Sequence, residues 1–290
     1  MSFWPVLAAV LFIYLAGCAA IWTLQSRFVF YPLPTLSASP TAHGISFTDV
    51  RIPLPSGALH GWWMPAAPDA PVILYLHGNG GNIGAYAEQA VRLRRIEYSV
   101  LIIDYRGYGQ SSGPFPSEHQ VYEDAESAWR WLTNGPLNGN AIPPRQICIY
   151  GHSLGGAVAI ELACHHPEAA ALIVESSFTS ARAMARHLQI FRPFPLRALL
   201  RQHFDSLAKL HQLRMPVLFM HGTRDLTVPC RMSRELYAAA PDPKQLVIFE
   251  GATHMNCGAN DPRLYQKTVS EFLEQAFSQP STAPPSKIQT

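Results

Sequence analysis

Residues 147–156 read Ile-Cys-Ile-Tyr-Gly-His-Ser-Leu-Gly-Gly, an apolar β-type run that passes through Gly151-His152-Ser153-Leu154-Gly155 straight into a helical pattern. A serine at such a strand-to-helix corner stands on a strained turn, and glycine is needed two residues to either side because backbones must approach closely there. The exposed hydroxyl of Ser153 is therefore a candidate nucleophile. A second G-x-S-x-G, Gly109-Gln110-Ser111-Ser112-Gly113, lies beyond the apolar run Val100–Asp104 and leads into Pro114 and Pro116. Those prolines forbid an immediate helix, so Ser111 lacks the strand-turn-helix setting that gives the motif its meaning.

A serine hydroxyl is a weak nucleophile until a base takes its proton, and the base needs a third group to hold its tautomer. Downstream, Phe219-Met220-His221-Gly222-Thr223-Arg224-Asp225 places Asp225 in the loop after an apolar strand, and Gly251-Ala252-Thr253-His254 places His254 after the run Leu246–Phe249. His254 is the expected base, so activity should rise with pH as the imidazole loses its proton. Asp225 is the expected orienting carboxylate, and Glu175, ending the run Ala171–Val174, is the alternative. His77 and His221 precede glycine and read as scaffold residues. Upstream, Leu74-Tyr75-Leu76-His77-Gly78-Asn79-Gly80-Gly81-Asn82 is a glycine-rich turn after a strand. The backbone N–H groups of Asn79 and of Leu154, which heads a helix, are the expected donors to an oxyanion.

The segments His77–Asn82, Asp104-Tyr105-Arg106-Gly107-Tyr108-Gly109, Gly151–Gly156, Glu175-Ser176-Ser177-Phe178 and His221–Asp225 resemble, in order, the α/β-hydrolase superfamily. The chain is most similar to the branch of small, membrane-anchored α/β-hydrolase-domain proteins related to serine aminopeptidase-like hydrolases, over residues 25–277. That resemblance implies acyl hydrolysis, as in lipases and depalmitoylating thioesterases, without a cofactor, and it makes Asp104–Gly109 a structural turn. It implies reaction type more firmly than substrate.

The elements that must position these residues follow from periodicity. An opening antiparallel pair, Ser46–Pro53 and Ala58–Met64, precedes the short apolar runs Val72–Leu76, Val100–Asp104, Ile147–Tyr150, Ala171–Val174, Val217–Met220 and Leu246–Phe249. Helical patterns at Ile83–Arg95, Ser117–Thr133 and Leu154–His165 lie between them. This alternation predicts an α/β fold, a mostly parallel sheet with helices on both faces and its ligand site at the carboxyl ends of the strands. Residues 178–213, Arg-rich and split by Pro193 and Pro195, are too long for an ordinary connection and read as a small cap. The expected organisation is an N-terminal segment over 1–26, a Pro/Ser/Thr-rich linker over 27–44, a hydrolase domain over 45–278 and a disordered tail over 279–290.

Residues 3–24 carry no charge, and as a helix they reach about 33 Å, enough to cross a bilayer. The run continues past Leu15-Ala16-Gly17-Cys18, and no cation precedes it, which favours an uncleaved anchor over a lipoprotein signal cut before Cys18 or a removed secretory signal. Arg27 leans toward a cytoplasmic catalytic domain.

With 48% hydrophobic and 14% charged residues and a net charge of +2, the chain suits one domain with a large core and offers no nucleic-acid footprint. No Cys or His spacing matches a metal site. Of the five cysteines, Cys148 and Cys164 read as core thiols, while Cys230 and Cys257 would pair only in an oxidising compartment. The sequence thus predicts a membrane-bound serine hydrolase acting on a small-molecule or lipid acyl substrate. A serine peptidase or amidase is the second reading, and a non-catalytic interaction protein on the same scaffold is the third.

Overall fold

Strand and helix alternate along the chain because each apolar run is short and the intervening helices are amphipathic, save that over residues 154–165, which is apolar and buried nearly all round. The computed structural model describes residues 3–135 and 141–278; the expected tail, 279–290, lies outside the described residues. The N-terminal segment forms α1 (Trp4–Val29). A two-residue strand β1 (Tyr31–Pro32) then pairs in parallel with β5 (Gly80–Gly81). The main sheet contains β2 (Thr48–Leu54), β3 (Gly57–Met64), β4 (Val72–Leu76), β6 (Ser99–Ile103), β7 (Ile147–His152), β8 (Ala171–Glu175), β9 (Val217–Gly222) and β10 (Lys244–Phe249). Its order is β2-β3-β6-β4-β7-β8-β9-β10. The β2/β3 and β3/β6 pairs are antiparallel, and every other pair in this sheet is parallel.

Successive residues of a strand face opposite sides of the sheet, and here both sides are apolar, as parallel strands covered on both faces require. Val72, Leu74 and Leu76 join Ile147, Ile149, Leu172 and Val174 in one core, under α3 (Glu118–Thr133) and α4 (Leu154–His165). Ile73 and Tyr75 join Cys148, Tyr150, Ile173 and Leu218 in the other, under α2 (Ala87–Arg95) and α10 (Pro262–Ser278). The expected helix over Ile83–Arg95 starts one turn later than its pattern, because Ile83–Tyr86 is a 3₁₀ turn capped by the Asn82 carboxamide, which accepts from Gly84 N at 3.0 Å.

Two segments differ from the linker and anchor boundaries expected from composition. α1 runs through residues 27–29 and stops at Phe30, before Pro32. The rest of the Pro-rich stretch is tied down rather than free: Asn82 Nδ2 donates to Leu33 O at 2.9 Å and Thr35 O at 2.7 Å, and Phe30 is buried. Side-chain amides from distant turns supply the hydrogen bonds that an aperiodic segment cannot make with itself.

Residues 178–213 contain α5 (Ala181–His187), α6 (Leu196–Leu199) and α7 (Ser206–Lys209), joined by turns. Ser180 Oγ caps α5 by accepting from Ala183 N at 3.1 Å. Pro193 and Pro195 break the run between α5 and α6, since proline can neither donate to a helix nor follow a helical residue easily. The remaining helices are α8 (Arg231–Ala239) and the short α9 (Cys257–Asn260).

Candidate active site

Ser153 occupies the corner between β7 and α4 with φ 54° and ψ −119°. That left-handed conformation is costly for a residue with a Cβ and persists only where the surroundings enforce it. They do. A Cβ at Gly151 would lie 2.1 Å from Gly155 O, and one at Gly155 would lie 2.0 Å from Leu76 O, so both glycines are required by close backbone approach. Ser153 N donates to Glu175 O at 2.8 Å, and Ser177 Oγ donates to Ser153 O at 2.8 Å, fixing the corner from the neighbouring strand.

Ser153 Oγ lies 2.9 Å from His254 Nε2, and His254 Nδ1 lies 2.7 Å from Asp225 Oδ2. With Nδ1–H donating to the carboxylate, Nε2 is left as acceptor for the serine hydroxyl, the tautomer that general-base assistance needs. Asp225 is buried, which opposes its ionisation. Hydrogen bonds from His221, His254 and the Val228 amide outweigh that burial and hold its carboxyl well below the usual carboxylate range. Thr227 N and Val228 N both reach Asp225 Oδ1 at 2.8 Å.

The two loops are tied to each other by Arg224 N donating to Ala252 O at 2.8 Å. His221 Nε2 lies 3.1 Å from Asp225 Oδ2, and its Nδ1 lies 2.7 Å from Ser233 Oγ. This expected scaffold histidine therefore supports the carboxylate directly. His152 was not anticipated. Its Nε2 donates to the carbonyl of His254 at 2.9 Å, so the residue beside the serine holds the backbone of the imidazole that faces it. Burial pushes the His152 pKa down to about 4, which keeps the ring neutral. Its position inside the pentapeptide was the only signal available in the sequence.

The alternatives fall elsewhere. Glu175 is buried, accepts from the Tyr150 hydroxyl, and makes no hydrogen bond to His254 among the described residues. Ser111 Oγ donates to Asp104 O at 2.7 Å and accepts from His60 N at 2.8 Å, the contacts of a turn residue. Cys230 and Cys257 are free thiols.

The turn before β5 is fixed through Asn79, whose carbonyl accepts from Tyr31 N at 2.9 Å and Tyr108 Oη at 2.7 Å. Its side-chain amide donates to Val29 O at 2.8 Å, the last carbonyl of α1. Among the described residues no acceptor takes the backbone N–H of Asn79 or of Leu154. Both residues border the same cavity as Ser153.

Residues 67–207 match the family model described as serine aminopeptidase, S33. An uncharacterized protein of Mycobacterium tuberculosis is 35% identical over 279 residues, covering 93% of this chain and 95% of the relative. The α/β-hydrolase domain-containing protein WAV2 of Arabidopsis thaliana is 31% identical over 287 residues, covering 91% and 92%. The chain belongs to the α/β-hydrolase superfamily. A Pyrococcus furiosus esterase shares the fold of this hydrolase with a TM-score of 0.67 at 21% identity, over 85% of this chain and 98% of that one.

The cavity of this hydrolase that ends at Ser153 encloses about 310 Å³. The cap supplies Phe178, Met184, Leu188, Phe191 and Leu200 to its walls, and α1 supplies Ile21, Gln25, Phe28 and Val29. Those four α1 residues fall at i, i+4, i+7 and i+8, one face of the helix. Gln25 is buried at 3% exposure. Its Oε1 accepts from Arg201 N at 2.6 Å and Gln202 N at 2.8 Å, and its Nε2 donates to Trp22 O at 2.9 Å. Gln25 is one amide in an uncharged run, and nothing beside it in the sequence marked this contact.

Proposed function

We propose that the chain is a membrane-anchored serine hydrolase that cleaves acyl esters or thioesters through a covalent acyl-enzyme. In this reading Ser153 Oγ attacks the acyl carbonyl while His254 Nε2 takes its proton. Asp225 holds the imidazole and stabilises the imidazolium. The N–H groups of Asn79 and Leu154 receive the developing oxyanion, and one such donor is worth about 3 kcal/mol in the transition state. His254 returns the proton to the departing alcohol or thiol, and water then releases the acid by the same steps.

The observation that carries this reading is the cavity itself: a mostly apolar space that ends on Ser153 and the two unused N–H groups. The peptidase reading is favoured by the description of the matching family model. Against it, the described lining contains no Asp or Glu to receive a peptide's terminal ammonium.

Anchoring is supported by α1, whose 18-residue window has mean hydropathy 2.2 and is 6% buried. An uncleaved helix is supported further by Tyr14 and Gly17, which pack on Phe194 and would be lost by cleavage before Cys18.

The test is a fluorophosphonate probe followed by an acyl ester panel. Wild type should be labelled, Ser153→Ala should be folded and unlabelled, and kcat/KM should be higher for medium and long acyl esters than for acetyl esters. Labelling that persists at Ser111 overturns the nucleophile, and turnover of aminoacyl amides alone overturns the acyl esterase in favour of the peptidase.

A further inference from the structure

Between Phe3 and Ser26 no side chain is charged. A bilayer span needs at least ~17 residues, and one placed anywhere in that run contains Tyr14 and Gly17. Both touch Phe194 of the cap. The rings of Tyr14 and Phe194 stack with centroids 5.5 Å apart, and Tyr14 Oη donates to Pro193 O at 3.5 Å. A Cβ at Gly17 would sit 2.7 Å from Phe194 Cε1, so the glycine makes room for that ring.

Higher on the helix, Arg201 lies over the Trp22 ring at 4.9 Å, and Phe28 meets Phe191 at 6.1 Å. The turn between α5 and α6 therefore descends beside α1 from Phe28 to Tyr14. Tyr14 lies about 12 Å below Trp22 along the helix axis. A segment packed on residues that lie in hydrocarbon must itself be accommodated there.

The composition of the turn agrees with its position. Ile190 is 73% exposed and lies outside the cavity lining, while Leu188 borders the cavity and is still 55% exposed. Between residues 178 and 213 there are five arginines, Arg182, Arg186, Arg192, Arg197 and Arg201, against one acid, Asp205. Arg182, Arg186, Arg192 and Arg231 line one groove together with Asp205. Long arginine stems lie along apolar surface while the guanidinium reaches the headgroups, and each cation near an anionic leaflet adds attraction.

We propose that the turn 188–194 is inserted into the acyl layer of the leaflet next to the catalytic domain, and that the Ser153 cavity draws its acyl chain laterally from that layer between α1 and the cap. This rests on the membrane-anchored acyl-hydrolase reading. The same two elements that carry the apolar surface, α1 and the cap, line the cavity. An acyl chain can then pass from lipid to cavity without crossing water, and the hydrophobic cost of that crossing, about 0.8 kcal/mol per methylene, is avoided.

The experiment uses the full chain in vesicles of phosphatidylcholine and phosphatidylglycerol, with photoreactive benzoylphenylalanine placed singly at Leu11, Ile190 or His119. Lipid adducts are expected at Leu11 and Ile190 and not at His119, which is exposed on α3. Adducts at Leu11 without adducts at Ile190 overturn the inserted turn while leaving the anchor in place. Absence at both overturns the anchor and with it this proposal. A second arm uses Ile190→Asp. Its kcat/KM on a long-chain ester embedded in vesicles should fall by about tenfold or more, because a carboxylate in hydrocarbon is costly. On a soluble butyrate ester it should stay within about twofold, since Ile190 does not line the cavity. Equal values on both substrates overturn lateral entry. If no acyl ester is turned over even by wild type, the functional reading fails, and the adducts alone then decide insertion.

Discussion

The two walls of the cavity are built differently. On the sheet side, Ser153, His254 and Asp225 are fixed by backbone contacts from β7, β8 and β9, by glycines that admit no Cβ, and by two supporting histidines. On the other side, α1 and the cap meet through aromatic contacts and the hydrogen bonds of Gln25, with exposed apolar residues beyond them. The first kind of construction holds reacting atoms in one geometry, which is what electrostatic stabilisation of a transition state needs. The second tolerates repacking and suits an apolar chain of variable length. Substitutions on the sheet side should therefore act on kcat, and those on the helix side on KM and on substrate choice.

The largest effect expected is for Asp225→Asn. It leaves shape nearly unchanged but favours the wrong imidazole tautomer, so kcat should fall by about 10⁴-fold, as in the serine protease template. Glu175→Gln should keep kcat within about tenfold, since Glu175 bonds to Tyr150 and not to His254. Steady-state kinetics on both variants decides between the carboxylates. A reversal of the two results would move the orienting role to the end of β8.

The next effect is on stability and isolates His152. The ring titrates at about 4 when folded, against an ordinary 6.5, because burial disfavours its charge; Glu175, His254 and Asp225 are the charged or titratable groups near it. Between pH 6.5 and 4 the unfolded imidazole therefore binds a proton that the folded one refuses. Stability falls as pH falls through that window, by roughly 3 kcal/mol in all. Asp225 acts in the same direction but lower, since its stabilisation is lost only as pH falls below its ordinary 3.8. His60 opposes the trend, its pKa being raised when folded, and His77 reinforces it. The comparison of wild type with His152→Gln cancels those contributions. Denaturant melts at pH 7 and pH 4.5 should show a shallower acid loss in the variant, and equal slopes would refute the buried neutral ring.

The difference between the walls also explains what could be read from the chain. Ser153 sits at the end of a short apolar run and Asp225 and His254 in the loops just after two others, and β-type runs bounded by glycine are a local signal; the strand boundaries match those expected to within two residues, and Val72–Leu76 matches at both ends. Gly151 and Gly155 announce close backbone approach, of Gly151 to Gly155 O and of Gly155 to Leu76 O, because only a missing Cβ permits it. The helix side has no such signature. Gln25 becomes meaningful only when Arg201 and Gln202 arrive from 176 and 177 residues away. The Pro-rich stretch after α1 looked like a free linker because its hydrogen-bond partners, Asn79 and Asn82, lie in another segment. Long-range polar contacts of single residues leave no period in a sequence.

Gln25→Leu has the smallest expected effect and is the sharpest test of the two-wall comparison. Leucine preserves the apolar character of α1 and most of the volume, but it leaves the Arg201 and Gln202 N–H groups without the oxygen they now share. An unsatisfied buried donor costs about 1–3 kcal/mol, which is enough to loosen the cap without unfolding the sheet. KM for a long acyl ester should therefore rise by about fivefold to tenfold while kcat stays within about twofold, because Ser153, His254 and Asp225 are held from the other wall. Limited proteolysis should meanwhile cut first between residues 188 and 200. One route couples the walls: Asn79, whose backbone N–H is a proposed oxyanion donor, donates from its side chain to Val29 O at the end of α1. If Gln25→Leu lowers kcat as much as it raises KM, that hydrogen bond transmits movement of the helix to the oxyanion donors, and the two walls act as one device.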